Sequence, residues 1–332
     1  MALVSEIREI IFSKGLAILE PWIGSQDTKK EILAVLLAGR NLILEGPPGV
    51  GKTLLAKSVA RSLPDISAHN CSFNCEPGSI LCPQCLNEKK QILTIKGKDR
   101  FVRVQGSPEI TPEDLIGDID PVLAMKYGAF DPRAFFPGKI IKANRKVLFV
   151  DEINRLSERL QNALLQVLQE GELTIGNFDI NFSIDTVLIA TMNSRDVAGI
   201  ENLSEALKDR VERVVIPYPT ESEELAILEA YGQKWINVSL GIRKKIVQIC
   251  KKTRDNGQEL EFPSSPRSAI AIYELSQSFA QFRNSNEVNL EDLSAAMRVA
   301  FLGRLSPNSD SDYFNRVEEY IENLQRMVHE GG

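Results

Sequence analysis

The chain has 332 residues, of which 43% are hydrophobic and 25% are charged, and its formal net charge is −6. These values are ordinary for a folded protein long enough for about two domains, and nothing in them indicates disorder. No apolar run of about 18 residues occurs, and Glu6, Arg8 and Glu9 stand where a secretory signal needs an apolar core, so we expect a cytosolic protein without a membrane segment. The acidic balance argues against a broad nucleic-acid-binding surface, although a local basic patch is compatible with it.

The first predicted element is a phosphate-binding loop. The stretch GPPGVGKT, Gly46 to Thr53, follows an apolar run at Leu42 to Leu44 and precedes an amphipathic segment that begins near Lys52. Its glycines let backbone N–H groups point at phosphate oxygens, and the start of a helix adds a positive dipole end. We expect Lys52 to reach the β- and γ-phosphates of a nucleoside triphosphate and the Thr53 hydroxyl to hold Mg²⁺. A glycine-rich loop with an incidental lysine is the alternative, and the flanking strand and helix argue against it.

Four of the five cysteines follow at Cys71, Cys75, Cys82 and Cys85, with His69 close by. Four soft ligands in so short a stretch of a cytosolic chain favour a bound metal over disulfides. The gaps of three, six and two residues are less regular than those of a paired zinc site. Three interpretations stay open: a structural Zn²⁺ or iron–sulfur centre, a redox-responsive set of thiols, or unligated cysteines.

Apolar runs typical of strands recur along the first two thirds of the chain, with helical patterns between several of them. They lie at Leu42 to Leu44, Phe101 to Val104, Val147 to Val150, Val187 to Ala190 and Val214 to Ile216. This alternation predicts an α/β core with a parallel sheet flanked by helices on both faces.

Two segments of this core are expected to be inserts, and a third is expected to be a hairpin. The first surrounds the cysteines at about 69–90. In the second, at about 105–142, glycine and proline recur too often for a single crossover helix, so we expect it to project outward. In the third, Glu172 to Ile184, apolar residues alternate around Gly176 and Asn177, which predicts a β-hairpin. Such loops commonly contact partners, and surface elaborations without a function are the alternative.

The stretch KVLFVDEINRL, Lys146 to Leu156, carries the second candidate site. Its four apolar residues predict a strand buried on both faces, and Asp151 and Glu152 follow where that strand ends. Ligands bind at the carboxyl ends of parallel strands. We expect Asp151 to bind Mg²⁺ through water and Glu152 to orient and deprotonate an attacking water. An acidic pair that merely opens a helix is the alternative.

The pattern changes near Pro217 to Pro219. Beyond it we find no clear strands, only helical stretches with start signals at Thr220, Ser265 and Asn289. We therefore expect a boundary near residue 219, with a nucleotide-binding core at 1–219 and a small all-helical domain at 220–332.

The order of these motifs resembles the AAA+ ATPase superfamily, and within it the group that holds the MoxR ATPases and the ATPase (I) subunit of magnesium chelatase. The resemblance runs from Gly24 to about Arg304. DEINRL is shared by both subfamilies, and CSFNC followed by CPQC is similar to a stretch in some magnesium chelatase I subunits. The resemblance implies a P-loop AAA+ core with a helix-2-type insert at about 105–142, followed by a helical lid domain.

The resemblance also implies roles for single residues. The segment Ile23-Gly24-Ser25-Gln26 is similar to the one that lines the adenine pocket. Asn193 falls at the first sensor position, which helps to place the water near the γ-phosphate; Arg210 resembles the arginine finger that reaches a neighbouring subunit's nucleotide, and Arg267 the second sensor. The residues expected to bind the nucleotide are Gly46, Pro47, Pro48, Gly49, Val50, Gly51, Lys52, Thr53, Leu54, Ile23, Gly24 and Asp151. Those expected to take part in catalysis are Glu152, Lys52, Asn193, Arg210 and Arg267.

Two departures from the family pattern affect the sensors and the finger. Ser194 follows Asn193 where many relatives have proline, and Val211 follows Arg210 where many have phenylalanine. Neither change removes the working group. For Arg210 the sequence offers only its position, because Lys208, Arg213 and Arg195 are equally available cations.

The function implied by the resemblance is that of an ATP-hydrolysing motor with ATP and Mg²⁺ as cofactors. It would act as a homo-oligomeric ring, expected to be a hexamer, and would remodel a partner protein or drive the assembly of a metal-containing site. A partner with a von Willebrand A-like (integrin I-like) domain is expected. A narrower hypothesis makes it the motor subunit of a magnesium-, cobalt- or nickel-type chelatase. A nucleic-acid motor is disfavoured by the acidic balance, and a non-enzymatic nucleotide sensor would require Glu152 to be idle.

Overall fold

The computed structural model describes residues 2–78, 82, 84–85, 90–175, 180–193, 203–255, 257 and 259–330. These residues form two compact units. The core unit holds the chain up to Gly46 and Gly51–Ile216, and the helical unit holds Pro47–Val50 and the chain from Pro217 onward. The predicted domain boundary near residue 219 concerns independently folding domains and stays a prediction.

The core unit consists of strands and helices that alternate along the chain. Its strands are β1 (Asn41–Glu45), β2 (Ile66–His69), β3 (Ile92–Ile95), β4 (Phe101–Gln105), β5 (Gly117–Ile119), β6 (Phe135–Pro137), β7 (Lys146–Asp151), β8 (Glu172–Ile175), β9 (Ile180–Ser183), β10 (Thr186–Met192) and β11 (Val211–Val215). Its helices are α1 (Ala2–Lys14), α2 (Gln26–Leu37), α3 (Lys52–Ser62), α4 (Pro112–Leu115), α5 (Pro121–Tyr127), α6 (Lys139–Lys142), α7 (Glu158–Glu170) and α8 (Glu205–Lys208). Short 3₁₀ turns lie at Gly15–Leu19, Gly97–Asp99, Pro132–Ala134 and Ile153–Arg155.

Five of these strands form one parallel sheet in the order β11, β1, β10, β7, β4. The predicted parallel sheet with flanking helices is thereby confirmed. The apolar run Val147 to Val150 lies inside β7 and is fully buried, as expected for a strand covered on both faces. The fifth predicted strand was partly wrong: β11 begins at Val211 and ends before Ile216. Because β11 is an edge strand with exposed charged residues at 212 and 213, hydrophobicity alone identified only its apolar end.

The remaining strands of the core unit pair two by two as small antiparallel sheets. β2 pairs with β3 on either side of the cysteine segment, and β5 pairs with β6 within 105–142. The longest helix of that second segment, α5, has seven residues. β8 pairs with β9, which confirms the predicted hairpin; its turn residues Gly176 and Asn177 lie outside the described residues.

The helical unit contains α9 (Glu221–Tyr231), α10 (Leu240–Asp255), α11 (Pro266–Phe282), α12 (Leu290–Leu302) and α13 (Val317–Glu330). The start signals at Thr220, Ser265 and Asn289 are confirmed, since each is the N-cap of a helix with a capping box. The expectation of helices alone was wrong in one place. Two short antiparallel strands, β12 (Leu260–Phe262) and β13 (Ser306–Pro307), pair with each other. Within the part of the chain that the structure describes, no helix is long and apolar enough to cross a membrane.

Candidate nucleotide site

The candidate site lies at the carboxyl edge of the parallel sheet. β1, β10 and β7 are neighbours and run in the same direction, so their last residues lie along one edge. Lys52 begins the helix that follows β1, Asp151 ends β7, and Asn193 follows β10. The fold therefore brings together three residues that the sequence keeps far apart.

The phosphate-loop motif lies between β1 and α3, as predicted. Gly51 has φ = 92° and caps the helix that starts at Lys52, and Gly49 has φ = 82°. A β-carbon at Gly51 would lie 2.8 Å from the Trp22 ring, and one at Gly46 would lie 2.3 Å from the Ile216 carbonyl oxygen. Glycine is favoured at Gly49 and Gly51 by the left-handed backbone, and at Gly46 by the close approach of the Ile216 carbonyl oxygen.

The Lys52 ammonium group is held inside this edge. Its side chain is buried, and Nζ donates to the Gly46 carbonyl oxygen at 2.5 Å and to Asn193 Oδ1 at 3.1 Å. The amide of Asn193 in turn donates from Nδ2 to Glu152 Oε1 at 2.9 Å. Asn193 thus joins the cation of the phosphate loop to the carboxylate that follows β7.

The Asp151 carboxylate is held by two neighbouring strands. Thr191 of β10 donates its hydroxyl to Asp151 Oδ1 at 2.7 Å, and the same hydroxyl accepts the Glu152 backbone N–H at 2.9 Å. Arg103 of β4 donates from Nη2 to Asp151 Oδ2 at 2.5 Å. Both oxygens of Asp151 are therefore oriented before any ligand binds.

Glu152 has a backbone conformation that residues other than glycine seldom adopt. Its φ is 55°, in the left-handed region, and Arg155 Nε lies 3.1 Å from Glu152 Oε2. Gly106 approaches the same turn so closely that a β-carbon there would lie 2.0 Å from the Glu152 carbonyl oxygen. Left-handed non-glycine residues cost about 1 to 3 kcal/mol and occur at functional sites, where the surrounding contacts maintain them.

Sequence reasoning missed Thr191, Arg103 and Arg155 as members of this site. A hydroxyl residue directly after the apolar run at Val187 to Ala190 was an available signal for Thr191. Arg155 stood inside the quoted DEINRL motif without an assigned role. Nothing in the sequence near Arg103 indicated that its guanidinium would face Asp151.

The other predicted site residues take separate positions. Ser25 caps α2 by accepting two backbone N–H groups, and the Trp22 ring occupies the space that a side chain at Gly24 would need. In the helical unit, exposed Arg267 lies in the first turn of α11, as predicted, and its Cγ is 3.3 Å from where a β-carbon of Gly49 would lie. Exposed Arg210 pairs with Asp209. The roles of Ile23, Gly24, Arg210 and Arg267 toward a nucleotide stay predictions.

The residues of this edge fit a magnesium–nucleoside triphosphate. The phosphate loop has no room for a β-carbon at Gly51, and the buried Lys52 ammonium group lies beside this loop. The Thr53 hydroxyl, in the first turn of α3, and the Asp151 carboxylate are oxygen donors of the kind that Mg²⁺ prefers. This set of groups is suited to phosphoryl transfer to water, with Glu152 as the base.

The four cysteines form a second constellation in the core unit, which we call the thiol cluster. The Sγ atoms of Cys71, Cys75, Cys82 and Cys85 all lie within 4.8 Å of one another, and none forms a disulfide. Hydrogen bonds from the Cys75 and Cys82 thiols lower the pKa of Cys71 well below its usual range. The Cys71 sulfur raises the pKa of Cys75 above its usual range and that of Cys82 to about 12, and burial raises that of Cys85 to about 12. These shifts follow from the close contact of the four sulfurs.

Comparison with known proteins gives matches along most of the chain. Residues 90–212 match the ATPase family associated with various cellular activities (AAA), and residues 21–94 match the family of magnesium chelatase, subunit ChlI. The magnesium-chelatase subunit ChlI homolog of Methanocaldococcus jannaschii is 25% identical over 93% of this chain and 89% of that protein. Chaperone MoxR1 of Mycobacterium tuberculosis is 27% identical over 63% of this chain and 45% of that protein.

A solved structure shows the same fold. In the complex between subunits BchI and BchD of magnesium chelatase, the matching chain has a TM-score of 0.50 and 17% sequence identity. The match covers 90% of this chain and 97% of that chain. At this identity the likeness concerns the arrangement of the elements alone.

Proposed function

Because this chain belongs to the AAA+ ATPases, in the group of MoxR and magnesium chelatase subunit I, we propose that it hydrolyses ATP as the motor of a homo-oligomeric ring. The ring, which we expect to be a hexamer, would remodel a partner protein or drive the assembly of a metal-containing site. We expect the partner to carry a von Willebrand A-like (integrin I-like) domain. Membership of the family supports the ATPase activity, while the ring and the partner are proposals.

One observation carries the proposal of hydrolysis. Asn193 donates to Glu152 Oε1 at 2.9 Å and accepts from Lys52 Nζ at 3.1 Å, so base and phosphate-binding cation face one small space. A nucleotide-binding scaffold that does not hydrolyse ATP has no need for a carboxylate held at this point. The left-handed backbone of Glu152 indicates that its position is imposed by the fold.

The chain's own groups would divide the work as follows. Lys52 would bind the β- and γ-phosphate oxygens, and Thr53 and Asp151 would hold the Mg²⁺ that neutralises their charge. Glu152 would take a proton from the attacking water, and the Asn193 amide would keep Glu152 and that water aligned. Bound MgATP supplies the phosphoanhydride bond that is broken.

Two variants test this proposal. Lys52→Ala should abolish nucleotide binding, and Glu152→Gln should retain binding while hydrolysis falls to background, because an amide cannot accept the proton. Lys57→Ala on the exposed face of α3 and Glu170→Gln at the exposed end of α7 are matched controls that should keep the parental rate. Nucleotide binding is measured by titration calorimetry and hydrolysis by phosphate release. Parental hydrolysis rates in both site variants would refute the proposal.

Arg210 can be tested by subunit complementation. If Arg210 acts on a neighbour's nucleotide, Arg210→Ala and Lys52→Ala are each inactive alone. Their mixture regains activity, because an intact Lys52 site then faces an intact Arg210 across some interfaces. Arg213→Ala, a change at an exposed cation of the edge strand β11 three residues further along the chain, should stay active alone. A mixture without activity, under conditions where the two variants assemble together, would count against a finger at Arg210.

A second candidate function is that of the motor subunit of a metal chelatase. It is favoured by the chelatase family model, whose match at 21–94 includes Cys71, Cys75, Cys82 and Cys85. Affinity capture with Glu152→Gln in ATP separates the candidates, because the variant should hold partners in the ATP state. Recovery of large chelatase subunits would support this function, and recovery of a different protein with a von Willebrand A-like domain would support the broader proposal. Insertion of metal into a tetrapyrrole by the isolated chain would contradict the motor-subunit role.

A further inference from the structure

We propose that the thiol cluster of Cys71, Cys75, Cys82 and Cys85 binds a single tetrahedral metal ion of the zinc class, which fastens the cysteine segment to the β5–β6 and β8–β9 hairpins. This inference does not depend on ATP hydrolysis. It decides among the interpretations that the sequence left open, because the spacing of the sulfurs differs between a single ion, a cluster and a disulfide.

The distances between the sulfurs fit one ion. Zinc–sulfur bonds of about 2.3 Å in a tetrahedron place the sulfurs about 3.8 Å apart. All four Sγ atoms lie within 4.8 Å of one another, so a small inward movement completes the site. An iron–sulfur cluster places irons and sulfides between cysteines on different irons, which requires wider spacing than this. Disulfides would bring two sulfurs to about 2.05 Å and leave no reason for four to converge.

The backbone around the cluster is shaped to support sulfur ligands. The Cys75 N–H donates to Cys71 Sγ at 3.4 Å, and the Cys85 N–H donates to Cys82 Sγ at 3.4 Å. Asn74 has φ = 50°, a left-handed turn that brings the Cys75 N–H back toward Cys71. Hydrogen bonds from main-chain N–H groups to sulfur stabilise thiolates, which are the form that binds metal. In each pair of cysteines, therefore, the sulfur of the first accepts the main-chain N–H of the second.

Three of the four cysteines are buried and Cys71 is partly buried, which favours a structural site over a reactive one. Cys82 is 0% exposed and Cys75 is 2% exposed, and both belong to the apolar core of the core unit. A redox sensor needs thiols that oxidants reach, whereas a structural ion is closed off by its ligands and their neighbours. Four protein ligands also leave no open position for a substrate. Soft thiolates favour zinc or a similar soft ion over Mg²⁺.

Contacts of Phe73 connect the cluster to both hairpins. Phe73, between Cys71 and Cys75 in the sequence, packs against Phe182 of β9 with ring centroids 4.9 Å apart and the rings tilted by 32°. Phe182 lies beside Phe135 of β6, with centroids 6.5 Å apart. The Asn144 side chain donates to the Phe73 carbonyl oxygen at 3.0 Å. An ion that fixes the turn around Phe73 therefore fixes the aromatic contacts that hold β9 and β6.

Metal content and spectroscopy test the ion itself. Protein purified without chelator should contain one zinc per chain by plasma mass spectrometry, and its four cluster thiols should react with a thiol reagent only after a chelator removes the ion. Replacement by Co²⁺ should give the visible absorption of a tetrahedral tetrathiolate. Cys75→Ser and Cys82→Ser should lose the ion, whereas Cys250→Ala, a buried cysteine of the helical unit, should keep it. The measurements on the parental protein do not require that a variant folds.

The remaining results of these measurements would overturn the proposal. Iron with acid-labile sulfide would identify a cluster, and metal-free protein with oxidised cysteines would identify a redox pair. Metal-free protein with four accessible reduced thiols would mean unligated cysteines. Hydrogen exchange tests the second half: removal of the ion should speed exchange in β5–β6 and β8–β9 and leave α10 and α12 unchanged. Unchanged exchange in both hairpins would refute the fastening role while leaving the ion in place.

Discussion

The thiol cluster lies in the core unit, as do Lys52, Asp151, Glu152 and Asn193 of the nucleotide site, and the two sites are built in opposite ways. Lys52 and Asn193 are 141 residues apart in sequence and meet because parallel strands end at one edge. The four cysteines come from the fifteen residues between Cys71 and Cys85 and meet through local turns. Hydrogen bonds between protein groups orient the polar side chains of the nucleotide site, whereas the four sulfurs converge on one point where a metal ion would bind. Changes at the first site should therefore affect mainly rates, and changes at the second should affect mainly structure.

Metal removal should show the largest effect in this comparison. Structural zinc sites contribute directly to folding free energy, so a strong chelator should lower the free energy of unfolding by several kcal/mol, on the order of a few degrees or more in the melting midpoint. Calorimetry of nucleotide-free protein with and without chelator measures this shift. Lys52→Ala is the matched comparison at the other site; it removes two hydrogen bonds of a buried ammonium group and should lower the midpoint by less than the chelator does. A chelator that leaves the midpoint unchanged would remove the distinction between the two sites.

Asn193→Ala should affect turnover far more than stability. The variant removes the amide that aligns Glu152 and Lys52, and we expect kcat to fall about 100-fold, equivalent to about 2.7 kcal/mol of transition-state stabilisation. Nucleotide affinity should change by less than about threefold, because the phosphate loop is intact. Asn70→Ala at an exposed position beyond β2 serves as the control. Equal losses in affinity and in kcat would show that Asn193 acts on binding in general.

The inner strands of the core could be predicted because a strand that is buried on both faces of a parallel sheet is a continuous apolar run in the sequence. Val147 to Val150 is such a run, and it is buried throughout. At the edge, Glu212 and Arg213 interrupt the pattern of β11, since one face of that strand meets solvent. β12 and β13 were missed because segments of three and two residues carry no periodicity.

The residues of the nucleotide site likewise divide into those that a local motif predicts and those that depend on strand pairing. Lys52, Asp151 and Glu152 could be predicted because their chemistry requires a fixed spacing within one motif. The role of Arg103 depends on register: Gln105 of β4 is the Cα partner of Asp151, and Arg103 is two residues earlier on the same strand. Thr191 likewise reaches Asp151 from the adjacent strand. The register between neighbouring strands is set by packing in three dimensions, so the sequence of one strand alone does not show which residues of the other it will contact.

Thr191→Val should have a smaller effect than Asn193→Ala. Valine has the same shape but cannot donate to Asp151 Oδ1 or accept the Glu152 N–H, so two partly buried polar groups lose a partner. We expect about a tenfold fall in kcat and a stability loss of about 1 to 3 kcal/mol. Thr191→Ser keeps the hydroxyl and should retain most of the activity. If valine and serine behave alike, the hydroxyl does not hold the acidic pair.

The smallest predicted effect concerns Arg103, whose guanidinium contacts the Asp151 carboxylate. The guanidinium lies 2.5 Å from Asp151 Oδ2 and is 48% exposed, so it competes with Mg²⁺ for the same carboxylate through a screened interaction. Arg103→Met should lower the Mg²⁺ concentration for half-maximal ATPase activity about two- to threefold at low ionic strength, and added salt should reduce the difference. Arg159→Met, at an exposed position on α7, is the control. A higher Mg²⁺ requirement in Arg103→Met would instead mean that Arg103 orients Asp151 for the ion. Arg103 would then assist the binding of Mg²⁺ rather than compete with it.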